Sequence, residues 1–96
     1  MKKHLYLLFA VAIIVMACSQ RPNPCLTFTT TPGSKVVSFS NCSTEASSYT
    51  WDDGDATFSF DTSPTHTYAA SCTYTVILQA VGANDVFEEI TKSVTV

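Results

Sequence analysis

His66, a run of carboxylates and four cysteines are the residues whose types could do chemistry in this chain. Asp52, Asp53, Asp55 and Asp61 fall within ten positions of one another, shortly before His66. A serine or cysteine nucleophile needs a neighbouring base that a third group orients. His66 with Asp55 and one of the many serines could be drawn in that way, but the only other histidine, His4, lies in the amino-terminal segment. Turns rich in Asp can supply the six to eight oxygens that calcium takes, which makes Asp52, Asp53 and Asp55 the calcium candidates. Successive residues of a strand point to opposite faces, so Asp52 and Asp53 do not easily share an ion. A solvated Asp52, with Asp55 accepting backbone N–H bonds in a turn, explains the same residues without one. Zinc is less favoured still, because one histidine and scattered cysteines lack ligand spacing. No cofactor is implied. Cys18, Cys25, Cys42 and Cys72 contain no Cys-x-x-Cys pair for redox work.

The cysteines lead back to the elements that hold them. Lys2, Lys3 and His4 precede an apolar run over residues 5–18, the layout of a secretory signal peptide. Its fourteen residues fall short of the roughly 20 that span a bilayer as a helix. The run ends in Val15-Met16-Ala17-Cys18, which resembles a bacterial lipobox with the bulky Met16 as its one departure. That resemblance implies cleavage after Ala17 and acylation of Cys18, which supplies the two or more lipid chains that stable anchoring requires. Ordinary secretion with the same cleavage is the alternative. Ser19, rather than an acidic residue, follows the cysteine and favours the outer membrane in a Gram-negative host. Residues 18–24 then form a lipidated cysteine and a short tether with two prolines.

The whole chain of 96 residues has a net charge of −3 and a mean hydropathy of +0.18, and both figures average two different objects. From Cys18 on, three basic and eight acidic side chains give −5. Nucleic-acid affinity comes largely from Lys and Arg on phosphate, so this part is not a polyanion binder. Nor is it long enough for a large enzyme core.

From residue 25 the hydrophobic period is two, the mark of half-buried strands. Residues 25–31 put Leu26 and Phe28 on one face, and a turn at Pro32-Gly33-Ser34 leads to Val37 and Phe39 in residues 35–41. Residues 47–53 turn Tyr49 and Trp51 inward; residues 57–60 are a short strand candidate. Residues 73–81 alternate most clearly, with Tyr74, Val76, Leu78 and Ala80 on one side, and residues 86–96 close the set. Short strands at this spacing predict an all-β sandwich. A hairpin turning at Gly33-Ser34 pairs residues 28 with 39 and 25 with 42, so a Cys25–Cys42 bridge is expected at its open end; Cys42–Cys72 is the rival pairing. The third cysteine is either buried as a small hydrophobe or free to bridge another chain.

Several of these segments together resemble a known family. Val37-Ser-Phe39 with Asn41, Tyr49-Thr-Trp51-Asp52-Asp53-Gly54-Asp55, Pro64-Thr-His66-Thr-Tyr68 and Tyr74-Thr75-Val76 resemble the PKD domain over residues 25–96. The resemblance implies an immunoglobulin-like β-sandwich of about seven short strands, with a structural histidine at His66 that packs near Trp51 and bonds to backbone. Three departures stand out. Asp53 occupies the family's usual aromatic position, Ala56 replaces a glycine and so puts the turn after Asp55 in doubt, and Cys72 replaces another glycine. Phe58 and Phe60 stand where the family has polar residues. Exposed, they would form a platform for a sugar or a protein; the blander expectation is that one or both fold inward and restore the volume lost at Asp53. The sequence thus describes a non-catalytic, exported lipoprotein at the bacterial cell envelope or surface, held to the membrane by its lipid and binding protein or carbohydrate. The alternative is a purely structural or assembly subunit without a soluble ligand.

Overall fold

The computed structural model describes residues 21–96. The segment expected to be a signal peptide, and Cys18, lie outside them. Seven strands form two antiparallel sheets. β1 (Leu26–Thr30), β2 (Val36–Asn41) and β5 (Thr65–Thr67) make one, in the order β1-β2-β5; β4 (Phe58–Ser59), β3 (Ser48–Asp52), β6 (Thr73–Val81) and β7 (Phe87–Thr95) make the other, in the order β4-β3-β6-β7. Among the described residues no helix is long and apolar enough to cross a membrane.

Alternation settles which side chains the sheets enclose. Leu26, Val37 and Phe39 from the first sheet meet Trp51, Val76, Leu78 and Val94 from the second, and Tyr68, just past β5, completes the core. The rings of Phe39 and Trp51 lie 5.2 Å apart across the two sheets, in the tilted arrangement aromatic pairs favour. Lys92 ties the sheets together as well, its Nζ donating to the Leu26 carbonyl at 2.7 Å. Phe28, Tyr49 and Tyr74 pack at the margin of this cluster.

The first hairpin has the expected register: Phe28 faces Phe39 and Leu26 faces Asn41. The Cys42 N–H donates to the Cys25 carbonyl at 3.0 Å, and the two cysteines are joined by a disulfide. Among the described residues Cys72 is the free cysteine, and it is exposed rather than buried. Packing begins before Cys25: Pro22 is buried, and Asn23 and Thr44 exchange backbone hydrogen bonds of 2.9 and 3.1 Å. β5 has no counterpart among the segments found by period. Three residues of Thr-His-Thr have no apolar alternation to read; their backbone pairing with Val36, Val37 and Ser38 of β2 makes them a strand.

Candidate functional site

Two features survive as candidates, and both grow from the chain that leaves β3. Trp51 is fully buried and Asp52 points the other way, so Asp53 turns inward again and is only 2 % exposed. The turn that follows is made by side chains: Asp52 Oδ1 accepts the Gly54 N–H at 3.0 Å, and Asp55 Oδ1 accepts the Thr57 N–H at 3.3 Å. Gly54 has a φ of +83°, and a Cβ there would run into the Thr75 carbonyl, so glycine is required. Ala56 adopts a left-handed φ of +69°, at a cost of about 1–2 kcal/mol for an L-residue. The turn is thus made here with alanine in the left-handed position.

This turn delivers Asp53 and Asp55 to His66, which arrives on β5 from the other sheet. The His66 Nε2–H donates to Asp55 Oδ2 at 2.8 Å, while Nδ1 lies 3.6 Å from Asp53 Oδ2. Thr57 Oγ1 contacts both carboxylates, at 3.1 Å for Asp53 Oδ2. The imidazole sits edge-on to Tyr68 at 4.5 Å. Tyr68 in turn stacks on Tyr74 at 4.0 Å, and its hydroxyl donates to the Asp53 carbonyl at 2.7 Å. The expected backbone partner for His66 is thus replaced by carboxylates, since Asp53 and Asp55 reach the ring first. Asp52 does not belong with them: it sits on the outer face and spends Oδ1 on the turn. Strand alternation thus keeps Asp52 apart from Asp53, in line with the opposite-face argument made from the sequence.

Burial pushes the Asp53 carboxyl above the ordinary aspartate range, partly offset by the His66 ring and the Thr57 hydroxyl. For Asp55 burial also acts upward, but the bonds from Thr57 and His66 outweigh it and hold the group below that range. Burial likewise raises the Tyr68 hydroxyl, with the Asp53 charge adding to it. The Asp53 shift fixes a sign. A carboxyl that holds its proton more tightly when folded favours the folded state at low pH, and that advantage fades as pH rises from 3.8 through the raised value. Measured by chemical denaturation from pH 3 upward, Asp53→Asn should gain stability relative to the unaltered chain as pH rises across that window. A difference that is flat with pH, or of the opposite slope, would count against a buried carboxyl of this kind. As catalytic machinery the cluster is poorly set, because the nitrogen nearest the Thr57 hydroxyl already bonds to Asp55 and the hydroxyl lies 3.4 Å away.

The second feature is the aromatic pair. Register puts Ser59 opposite Trp51 and Phe58 opposite Asp52. Residues paired directly across strands share a face, so Ser59 takes the core side and Phe58 is turned outward. Phe58 is 62 % exposed and Phe60 79 %. The expectation that one or both fold inward is overturned, and the reason is the one-residue choice of register. β4 is an edge strand, and Asp52 also pairs with Ile77, so an outer row runs Phe58–Asp52–Ile77. The loop after Phe60 is pinned from inside, where Trp51 Nε1–H donates to the Asp61 carbonyl at 2.9 Å.

Comparison with known proteins agrees with this architecture. The PKD1 domain of Vibrio anguillarum Epp superposes with a TM-score of 0.73 at 26 % identity, over 80 % of this chain and 94 % of that one. The PKD1 domain of the Vibrio cholerae metalloprotease PrtV gives 0.72 at 21 % identity, over 79 % and 96 %, which speaks to the fold. No relative is found among curated proteins. The family model of the PKD domain matches residues 21–96, including the Pro22 and Asn23 that pack ahead of the disulfide. With its two sheets, its Trp51 core and the turn that carries Asp53 and Asp55, this chain belongs to the PKD domain family.

Proposed function

We propose that this chain is a non-catalytic, lipid-anchored binding module, held at Cys18 to the bacterial outer membrane or cell surface, that takes a protein or carbohydrate ligand on the outer face of β4. The observation that carries this reading is the exposure of Phe58 on the edge strand β4 and of Phe60 just past its end. Large exposed apolar side chains placed together are uncommon on a small soluble domain unless they meet something. Aromatic faces stack on sugar rings and anchor protein contacts, and the Asp52 carboxylate beside Phe58 can accept hydrogen bonds from a polar ligand. The anchor rests on the Val15-Met16-Ala17-Cys18 boundary.

The test compares the chain with its Phe58→Ser, Phe60→Ser variant against a glycan panel and against purified envelope proteins. Both side chains are mostly in water, so the double change should move stability by no more than about 0.5 kcal/mol per site. Binding that falls at least about tenfold supports the reading, since aromatic anchors carry much of an interface's energy. A ligand bound equally well by the variant rules out this face. For the anchor, Cys18→Ala or globomycin should stop maturation or release the protein from membranes; a chain still processed and membrane-bound removes the lipid from the account.

A second reading, a structural or assembly subunit without a soluble ligand, draws on the exposed thiol of Cys72. It is favoured if non-reducing gels of envelope preparations show a Cys72-dependent dimer while no ligand is captured.

A further inference from the structure

The cluster around His66 holds more acceptors than protons. Asp53 and Asp55 present four carboxylate oxygens; the Thr57 N–H and the His66 Nε2–H serve Asp55, and the Thr57 hydroxyl has one proton for both groups. Asp53 Oδ1 is buried and has no hydrogen-bond partner at all. Its side chain is 3 % exposed, and it is the other oxygen, Oδ2, that faces Thr57 and His66. An unpartnered carboxylate oxygen out of reach of water is costly unless a proton or a cation meets it.

We propose that Asp53, Asp55 and His66 form a binding site for a first-row transition-metal dication of the zinc type, with the Thr57 hydroxyl beside it. One donor atom from each of the three residues lies within 4.8 Å of the other two. Zinc holds imidazole nitrogen and carboxylate oxygen at about 2.0–2.2 Å, which sets tetrahedral donors roughly 3.4 Å apart. Side-chain rotation closes that difference, and the 2.8 Å contact of His66 with Asp55 would open to admit the ion. One imidazole with two carboxylates suits zinc and its neighbours, whereas calcium and magnesium prefer oxygen alone. The site is graded in depth: Asp53 forms its floor, and His66 and Asp55, with 19 % and 20 % of their side chains exposed, form its mouth. Tyr68 holds the imidazole edge-on. Sequence spacing hides this set because the two carboxylates come from the β3–β4 turn and the imidazole from β5 of the opposite sheet.

The test titrates ZnCl2 and, separately, CoCl2 into the full chain, purified untagged in detergent and freed of metal with a chelator. The expected result is one zinc ion per chain, a visible Co2+ absorption of a nitrogen–oxygen site, and no displacement by a tenfold excess of Ca2+, an excess set by roughly the selectivity of mixed donor sets. Asp53→Asn keeps the shape of the side chain and removes its charge. It should weaken zinc by at least about tenfold and abolish the rise in melting temperature that zinc gives the unaltered chain. His66→Gln should do the same; if that variant does not fold, the shift of the His66 ring resonances on adding zinc to the unaltered chain replaces it. No binding overturns the site. Equal binding by Asp53→Asn overturns it too, since zinc is then held elsewhere, for example by Cys72. Calcium displacing zinc at equal concentration would do so as well.

Discussion

Replacing Trp51 by alanine is expected to remove a large part of the domain's stability. The indole is fully buried, lies 5.2 Å from the ring of Phe39 and donates to the Asp61 carbonyl. Removing a buried Trp costs about 3–5 kcal/mol, whereas a single domain of this length has only roughly 4–11 kcal/mol in total. Trp51→Phe separates two parts of that effect. It keeps most of the apolar volume and removes the hydrogen bond, so a loss of about 1–2 kcal/mol is expected. Because Trp51 Nε1–H holds Asp61, the phenylalanine variant should also loosen the segment that carries Phe60. Circular dichroism with urea follows both variants, since Trp51 is the only tryptophan and its fluorescence disappears with it. If Trp51→Ala were as stable as the unaltered chain, the two-sheet core described above would be wrong.

Removing the disulfide is the second large effect. Cys25 and Cys42 are 17 positions apart, and closing a loop of that size restricts the unfolded chain by about 3 kcal/mol. Cys25→Ala combined with Cys42→Ala should therefore lower the melting temperature by roughly 12–24 °C at this domain size. The hairpin itself should persist, because its hydrogen bonds and the Phe28–Phe39 pair do not depend on sulfur. Changing Cys72 alone should leave the melting temperature where it is, as its side chain is exposed and unbridged. Peptide maps made without reduction should join Cys25 to Cys42. A map that joins Cys72 to either would contradict the hairpin register, and a melting temperature unmoved by the double change would remove the staple from the stability of the domain.

The two effects act on different states. Trp51 stabilises the folded domain through packing, and the disulfide acts mainly by limiting the unfolded ensemble. A small sandwich has few other reserves. That is also why its departures from the family matter. Asp53 brings a carboxyl into a core that otherwise excludes charge, and Ala56 holds a positive φ where glycine would sit without strain.

Much of this was legible in the linear chain, for a definite physical reason. Strand alternation is a local property with a period of two, so Val37 and Phe39, Trp51, and the series Val76, Leu78, Ala80 declare their inward faces without reference to any partner. The Cys25–Cys42 pairing was equally local: once the turn is placed at Gly33-Ser34, antiparallel register follows by counting. The net charge of −5 from Cys18 on and the Val-Met-Ala-Cys sequence are read from the residues as they stand. What only the tertiary structure decided depended on which strands lie side by side. Phe58 and Phe60 form a two-residue period whichever way they face, and only the pairing of Ser59 with Trp51 turned them outward. β5 is three polar residues whose strand character comes from β2. The gathering of Asp53, Asp55 and His66 needed a turn from one sheet to meet a strand of the other, a contact between chain segments that no spacing in the sequence encodes.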